Sequence, residues 1–246
     1  MPDDGMQNGE NGSRNGGQTA TEIGTVIVTG AASGLGRAVA AAVREAGGTP
    51  VALDINEAEG FESEVVDLAD STAAEAAVER VSERHGGLDA VVAAAGTDSC
   101  GPLERIPAAD WNRVIAVNLM GTAAVVRAAL PALERSRGRV VTIASTLGVR
   151  ALPDATAYCA SKFGVVGFSR ALAAETAGRI GVTLLMPGGM ETHFFDGREE
   201  QYKPPPDAKL APPEEVAQAA LFALSRPAGI ELREALVAPA TESSWP

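Results

Sequence analysis

Short apolar runs alternate along the chain with longer segments that are rich in alanine. The first run, Thr25 to Val28, is compact and β-branched, which is typical of a buried parallel strand. The segment from Arg37 to Ala46 follows it and is alanine-rich, which favours a helix. The alternation continues to the end of the chain and predicts a parallel sheet whose strands are connected by helices.

Seven strands and five helices are predicted from this pattern. The third helix contains Pro131 near its end, so we expect it to stop or kink there. No internal repeat and no second domain are evident in the sequence. The strands are expected near Val26, Val51, Val65, Val91, Val141, Leu184 and Leu236, and the helices over Leu35–Ala46, Ser71–His85, Ala108–Glu134, Ala157–Thr176 and Pro213–Ser225.

Residues 1–22 differ in composition from the rest of the chain. They are rich in Gly, Asn, Gln and Asp and hold almost no large apolar side chains, so they cannot bury enough surface to become ordered. They also lack the apolar core of a secretion signal. We therefore expect a disordered tail over 1–22, a single domain over 23–246 and a cytoplasmic location.

Composition and charge narrow the range of partners. The 246 residues suffice for one α/β domain with a substantial core, and the net charge of −12 argues against binding nucleic acid or an anionic membrane through a basic patch. No stretch is expected to span a membrane. Two cysteines and two histidines are too few and too scattered for a disulfide framework or a metal cluster. We therefore expect no metal, no nucleic acid and no membrane partner.

A glycine-rich turn, TGAASGLG over Thr29–Gly36, lies between the first strand and the first helix. In this context Gly30 permits a tight turn, Gly34 lets a pyrophosphate approach the backbone and Gly36 lets the helix pack on the strand. The helix N-terminus then offers N–H groups and the positive end of its dipole to an anion. The glycine spacing differs from G-x-G-x-x-G, but the strand–turn–helix context indicates dinucleotide binding.

Asp54 closes the second predicted strand, about 20 residues after the glycines. A carboxylate at this point accepts hydrogen bonds from the adenosine ribose and repels a 2′-phosphate. Ser33 in the turn and Ile55 after the strand offer no basic group to hold such a phosphate. The sequence therefore favours NAD over NADP, and the alternative is an aspartate that only caps the following segment.

Tyr158 and Lys162 are spaced one helical turn apart, and Ser145 follows the apolar run Val140–Ala144. A cation beside a phenol favours the phenolate and lowers the pKa of the tyrosine from about 10. Such a shift suits a tyrosine to proton transfer near neutral pH. Taken alone, the pair is more commonly a surface aromatic beside a surface charge.

Taken together, these motifs closely resemble the short-chain dehydrogenase/reductase superfamily, in its single-domain branch with TGxxxGxG and YxxxK. The likeness extends from Thr25 to Val237 and implies an α/β, Rossmann-like, doubly wound parallel sheet of about seven strands with helices on both faces. One departure is Ala93-Ala94-Ala95-Gly96, where the family usually reads NNAG and uses the asparagines to stabilise the sheet.

The resemblance also assigns site residues. It implies that Ser145, Tyr158, Lys162 and Asn118 are catalytic, with Asn118, from VIAVNLMGT, holding a water of the proton relay. It also implies which residues contact the coenzyme. They come from the glycine-rich turn, from the positions beside the adenine and the ribose, from the turn after the fourth strand and from the segment that covers the nicotinamide. These coenzyme residues are Gly30, Ser33, Gly34, Leu35, Gly36, Asp54, Asp67, Leu68, Ala95, Gly96, Tyr158, Lys162, Pro187, Gly188, Met190 and Thr192.

The activity implied by the resemblance is hydride transfer between a nicotinamide coenzyme, NAD rather than NADP, and a small-molecule secondary alcohol or ketone. A substrate lid is expected near 189–212, with Phe194, Phe195 and Tyr202 available to line an apolar pocket. Two alternatives stay open: a non-catalytic dinucleotide-binding regulator of the same fold, and an epimerase or dehydratase relative. Epimerase and dehydratase relatives usually carry a longer substrate domain.

A homo-oligomer, tetramer or dimer, is expected from the helices that begin at Ala108 and Ala157. Both are rich in Ala, Val and Leu around much of their circumference. A helix that is apolar on more than one face needs a second surface to cover it. The resemblance implies that these helices pack against their equivalents around a two-fold axis, and the alternative is close packing within one subunit.

Overall fold

Seven parallel strands form one sheet in the computed structural model, which describes residues 23–245. The tail predicted over 1–22 lies outside the described residues. The sheet confirms the predicted fold class, with the strand order β3-β2-β1-β4-β5-β6-β7. The strands are β1 (Thr25–Thr29), β2 (Thr49–Asp54), β3 (Glu62–Val65), β4 (Ala90–Ala93), β5 (Arg139–Ile143), β6 (Gly181–Pro187) and β7 (Glu234–Val237).

Helices cover both faces of this sheet. Both faces of the sheet are apolar and need covering, as β1 illustrates. Val26 and Val28 pack into the core on one face, and Ile27 packs into the core on the other. The first of these cores contains α1 and α6, and the second contains α2, α4 and part of α5. The helices are α1 (Gly34–Glu45), α2 (Ser71–His85), α3 (Ala108–Ile115), α4 (Thr122–Ser136), α5 (Thr156–Glu175) and α6 (Pro213–Leu224).

The long helix predicted over Ala108–Glu134 differs from the expectation in two ways. A π-helical turn, Ala116–Gly121, separates α3 from α4. The helix also passes through Pro131 and ends at Ser136, so it does not stop at the proline, which was one of the two outcomes expected there. Proline removes one helical hydrogen bond, but the buried side chains of Ala132 and Leu133 hold the last turn against the sheet.

By length and composition this helical stretch, Ala108–Ser136, passes the test for a membrane span, contrary to the expectation from sequence. The core helix of a water-soluble protein passes the same test. Its inner face is buried against β4 and β5 through Val125, Val126 and Leu133. Packing in the core therefore accounts for part of its apolar character.

The order in which strands are added to the sheet reverses at β1, so that β1 and β4 are neighbours at a topological switch point. The chain moves outward from β1 to β2 and β3, then returns to add β4 on the other side of β1. In open parallel sheets a crevice forms at such a switch point, outside the carboxyl ends of the strands. Gly30, Asp54, Gly96, Ser145 and Gly188 follow or close the strands at this edge.

Candidate active site

The turn after β1 is shaped by close backbone approaches that only glycine permits. Gly30 has φ +70°, and a Cβ there would lie 2.8 Å from the Cα of Ala95. A Cβ on Gly36 would lie 2.2 Å from the carbonyl oxygen of Gly30. Gly34 has φ +51°, and the nearest atoms to its Cβ position belong to Thr192, at 3.4 Å. The turn is therefore packed closely against the segment after β4 and against α1, and Thr192 lies over it.

The N-terminus of α1 is available to an anion. Within residues 23–245, the hydroxyl of the N-cap residue Ser33 makes no capping hydrogen bond, and the first turn of α1 contains no acidic residue. Leu35 is buried in the core, so it presents only its backbone to the crevice. Unused N–H groups at the start of a twelve-residue helix fit the pyrophosphate of a dinucleotide.

Asp54 is fixed at the end of β2, beside this turn. Its Oδ2 accepts a hydrogen bond from the Ala32 N–H at 3.0 Å, and its Oδ1 accepts one from the Asn56 N–H at 3.0 Å. The nearby Arg37 donates instead to the carbonyl oxygen of Glu59 at 3.2 Å. The Asp54 carboxylate thus links the glycine-rich turn to β2, and it lies at the position predicted for the ribose contact.

The segment Ala93–Gly96, which replaces the asparagine-containing motif, is anchored by neighbouring groups. Ala95 N–H donates to the Thr29 hydroxyl at 2.9 Å, which ties the ends of β4 and β1 together. A Cβ on Gly96 would lie 3.6 Å from Lys162 Nζ and 3.7 Å from Asn118 Oδ1. Gly96 therefore lies beside the predicted catalytic residues. The hydrogen bond between Ala95 and Thr29 joins β4 to β1 without asparagine side chains at positions 93 and 94.

Ser145 and Tyr158 are joined by a side-chain hydrogen bond. Ser145 follows β5 and also accepts from the Leu147 N–H at 3.1 Å, which fixes its hydroxyl in a short 3₁₀ turn. That turn packs on α5, because a Cβ on Gly148 would lie 2.9 Å from the Lys162 carbonyl oxygen. The close approach of turn and helix brings these side chains together.

Lys162 is only 4 % exposed. Its Nζ donates to the Ile143 carbonyl oxygen at 2.9 Å and lies 5.6 Å from the centroid of the Tyr158 ring. Burial disfavours the charged form and lowers the pKa of Lys162 to about 8. The ammonium therefore lies beside the ring, held by the end of β5.

The pKa of Tyr158 differs in direction from the expectation based on its spacing from Lys162. Burial is the largest influence and raises the pKa of Tyr158 well above its ordinary value, while the hydrogen bond to Ser145 lowers it. The physical reason is that a phenolate loses solvation at this partly buried position, and Lys162 directs its own hydrogen bond to Ile143. In this structure the tyrosine is held as the neutral phenol.

Asn118 lies in the π-helical turn and is fully buried. Its Oδ1 accepts from the Thr97 N–H at 2.8 Å, and its Nδ2 donates to the Thr97 carbonyl at 2.9 Å and to the Ser161 hydroxyl at 3.0 Å. Both amide protons are thus used, which leaves acceptor capacity for the predicted water. Ser161 in turn donates to the Tyr158 carbonyl at 2.8 Å, a link that the sequence did not suggest.

Asp67 and Leu68 follow β3 at the crevice. Asp67 forms an ion pair with Arg113 at 3.0 Å, and the Arg113 guanidinium with the Ala69 N–H holds the pKa of that carboxyl below its usual value. Leu68 is buried, and a Cβ on Gly121 would lie 2.6 Å from its carbonyl oxygen. Both residues are fixed in position, and the Asp67 carboxylate is paired with Arg113.

Beyond β6 the chain passes Pro187 and Gly188 and enters the lid. The Gly189 N–H donates to Glu242 Oε2 at 2.8 Å, and Met190 pairs with Ala211, so the two ends of the lid meet. Burial favours the neutral carboxyl of Glu242, but backbone and hydroxyl donors around it together outweigh burial and lower its pKa. Glu242 contacts this turn across 53 residues of sequence, a contact that local pattern does not reveal.

The lid places aromatic rings over Tyr158. The Phe194 ring lies 5.5 Å from the Tyr158 ring, and Phe195 lies 5.7 Å from Phe194. The Tyr202 hydroxyl donates to Asp154 at 3.4 Å, in the loop before α5. Two of the three aromatics predicted to line the pocket are therefore stacked in series from Tyr158 outward.

Neither cysteine forms a disulfide. Cys100 Sγ donates to Asp98 at 3.1 Å, and burial raises the pKa of that thiol to about 12, so it is held protonated. Cys159 is buried and unpaired with another cysteine. Across residues 23–245, no group of three or more potential metal ligands is brought together.

Comparison with known proteins gives one consistent result. A family model described as short chain dehydrogenase matches residues 24–203. The chain is 37 % identical over 221 residues to D-threitol dehydrogenase of Mycolicibacterium smegmatis, covering 81 % of this chain and 85 % of that protein. It is 35 % identical over 219 residues to a 3-oxoacyl-[acyl-carrier-protein] reductase of Thermotoga maritima, covering 81 % and 89 %.

A solved structure gives the same result. The ligand-free aldohexose dehydrogenase of Thermoplasma acidophilum superposes with a TM-score of 0.81 at 26 % sequence identity, covering 89 % of this chain and 95 % of that one.

Proposed function

The chain belongs to the short-chain dehydrogenase family and is an oxidoreductase of that family, and we propose that it transfers hydride between NAD(H) and a secondary alcohol or ketone. Tyr158 serves as the general acid or base. The observation that carries the proposal is the convergence of Ser145, Tyr158 and Lys162 beside Gly96, at the switch point of the sheet. A regulator that only bound the dinucleotide would not need this arrangement.

Each residue has a distinct part in the proposed reaction. Ser145 shares a hydrogen bond with Tyr158, so both hydroxyls meet the same substrate oxygen and hold its carbon in place. During reduction Tyr158, held as the neutral phenol, donates its proton to the substrate oxygen, and during oxidation its phenolate takes the hydroxyl proton. Lys162 supplies positive charge next to Tyr158, and Asn118 with Ser161 keeps α5 in register with the Gly96 turn.

The family uses a nicotinamide dinucleotide, and the crevice of this chain fits one. The glycine turn, the uncapped start of α1 and Asp54 match its pyrophosphate and ribose in chemistry. When bound, NAD(H) supplies the hydride acceptor or donor. Asp54 supports NAD(H) over NADP(H), because its carboxylate closes β2 at the position predicted for the ribose, and Arg37 donates to the Glu59 carbonyl oxygen.

The substrate class follows from chemistry that the relatives share. Their names specify a sugar alcohol, a 3-oxoacyl group and an aldohexose, and these proteins are all dehydrogenases or reductases. Tyr158 and Ser145 act on the reacting oxygen alone, so they suit any secondary alcohol or ketone that fits beneath Phe194. We therefore propose a small-molecule substrate of this class.

The direct test is a panel of secondary alcohols and ketones, including tetritols, aldoses and 3-oxoacyl thioesters. Nicotinamide absorbance is followed with NAD(H) and, separately, with NADP(H). We expect saturable turnover of at least one panel member, with NAD(H) preferred. An absence of net coenzyme oxidation or reduction across the panel, combined with isomerisation or dehydration of a panel member, would favour the epimerase or dehydratase alternative.

A further inference from the structure

An ion pair joins the lid to the body of the protein next to Tyr158. Arg198, from the lid, donates to Asp98, from the loop after β4, at 2.9 Å. The Arg198 and Asp98 side chains are only 15 % and 6 % exposed. Most ion pairs in the described part of the chain are far more exposed, and surface pairs contribute little to stability. An enclosed pair across two segments a hundred residues apart is therefore a specific feature of this site.

Arg198 also supports the aromatic ring that covers Tyr158. Its guanidinium carbon lies 4.9 Å from the Phe194 ring centroid and 4.7 Å from that of Phe195. Phe194 in turn lies against the Tyr158 ring. The position of Phe194 over the phenol therefore depends on where Arg198 is held, and Asp98 holds it.

The same two charges act on the catalytic pair. Asp98 raises the pKa of both Tyr158 and Lys162, whereas Arg198 lowers that of Tyr158. The other groups facing Tyr158 are Ser145 from the loop after β5, and Cys159 and Lys162 from α5 itself. An aspartate near a partly buried phenol opposes its deprotonation unless a cation offsets the charge.

We propose that Asp98 and Arg198 are positioning residues, through which closure of the lid completes the electrostatic setting in which Tyr158 exchanges its proton. With the lid open, Asp98 faces the phenol without its partner and favours the neutral form. With the lid closed, Arg198 offsets Asp98 and seats Phe194. Proton transfer is thereby coupled to enclosure of the substrate, and the inference rests on the proposed function of Tyr158.

The kinetic test uses the pH dependence of kcat for oxidation of the best alcohol found in the panel. Asp98→Asn should move the acidic limb of the profile to lower pH, by about one unit, because a negative charge near the phenol is lost. Arg198→Gln should move it to higher pH by a similar amount. The double variant Asp98→Asn/Arg198→Gln should lie between them, and Arg198→Lys should stay near the parent.

Opposite displacements separate this role from a purely structural one. If the pair only stabilised the fold, both single variants would lower kcat. The acidic limb of the pH profile would then stay in place, or it would move in the same direction in both variants. Either result would overturn the inference. Should the parent turn over its substrate while Tyr158→Phe does not, the proposed function would stand even if this inference failed. A parent inactive with every panel member would overturn both.

Limited proteolysis provides a readout that does not need turnover. Chymotrypsin can cleave the lid at Phe195 and Tyr202, and we expect cleavage to be several-fold faster in both Asp98→Asn and Arg198→Gln than in the parent. Glu200→Gln is the matched control, since it breaks the exposed Lys203–Glu200 pair of the same lid. Equal cleavage rates in the parent, Asp98→Asn and Arg198→Gln would contradict the proposed closure.

Discussion

Lys162 is a buried ammonium, and its burial has a cost that depends on pH. The unfolded chain holds this proton up to a pKa near 10.5, whereas the folded protein releases it near 8. The difference corresponds to about 3 kcal/mol of destabilisation below pH 8. The fold gains stability as the pH rises from 8 to 10.5, because the unfolded state binds more protons throughout that range. A residue kept at such a cost is consistent with a role in chemistry rather than in stability.

Replacing Lys162 by methionine should therefore stabilise the coenzyme-free protein while impairing its function. Allowing about 1 kcal/mol for the lost hydrogen bond to Ile143, we expect the free energy of unfolding at pH 7 to rise by about 2 kcal/mol. The gain should disappear near pH 10, and both coenzyme binding and turnover should fall. Denaturant titration at the two pH values measures this, and a stability difference that is independent of pH would contradict the account.

Asp54 gives a second prediction at the residue scale. Asp54→Ala combined with Ile55→Arg should shift coenzyme preference from NAD(H) towards NADP(H) by at least about tenfold, or roughly 1.4 kcal/mol. Ile55 is exposed, so an arginine fits there. Asp54→Asn is the charge-only control, because it can keep one of the backbone hydrogen bonds. Equal affinity of the unmodified protein for both coenzymes would refute the predicted preference.

At the scale of elements, sequence was informative wherever neighbouring residues determine the structure. The seven strands lie where the apolar runs predicted them, and the helix bounds agree within one or two residues apart from the π-helical turn. The π turn was not predictable from local pattern, and the buried Asn118 within it bonds to Thr97 and Ser161, which are distant in sequence. Contacts distant in sequence also raise the pKa of Tyr158. They likewise join Arg198 to Asp98 and Glu242 to Gly189.

The junction of β1 and α1 is the element on which coenzyme binding depends most. Gly36→Ala should lower the free energy of unfolding by about 2 kcal/mol, since its Cβ would overlap the Gly30 carbonyl. Coenzyme affinity should fall at least tenfold with it, as the turn is displaced. Ser33→Ala is the control for stability, because that exposed hydroxyl makes no capping bond among the described residues. Denaturant titration and coenzyme titration of both variants give the comparison, and an unchanged Gly36→Ala would disprove the tight packing.

At the scale of the whole molecule, two apolar side chains stand out on the helices predicted to meet a second subunit. Phe163 on α5 is 45 % exposed, and Met120 in the π-helical turn is 54 % exposed. The sheet covers only the inner faces of these helices. Such side chains favour a second copy of the chain as the covering surface.

We therefore expect a tetramer or dimer in solution, which light scattering detects as a mass at least twice the 25.1 kDa of one chain. Phe163→Glu should lower that mass by introducing a charge into the interface. Val65→Ser, at an exposed position on the edge strand β3, is the control and should leave the mass unchanged. A mass near 25.1 kDa for the unmodified protein at micromolar concentration would mean that the interface does not exist.

The central claim is that Tyr158 carries the proton during hydride transfer, and Tyr158→Phe tests it most directly. The variant loses only the hydroxyl, so Phe194 packing and the coenzyme crevice are preserved. We expect its dissociation constant for NAD(H) to stay within about threefold of the parent, while kcat with the best panel substrate falls by at least about a thousandfold. A variant that kept its turnover within a few-fold of the parent would show that another group moves the proton.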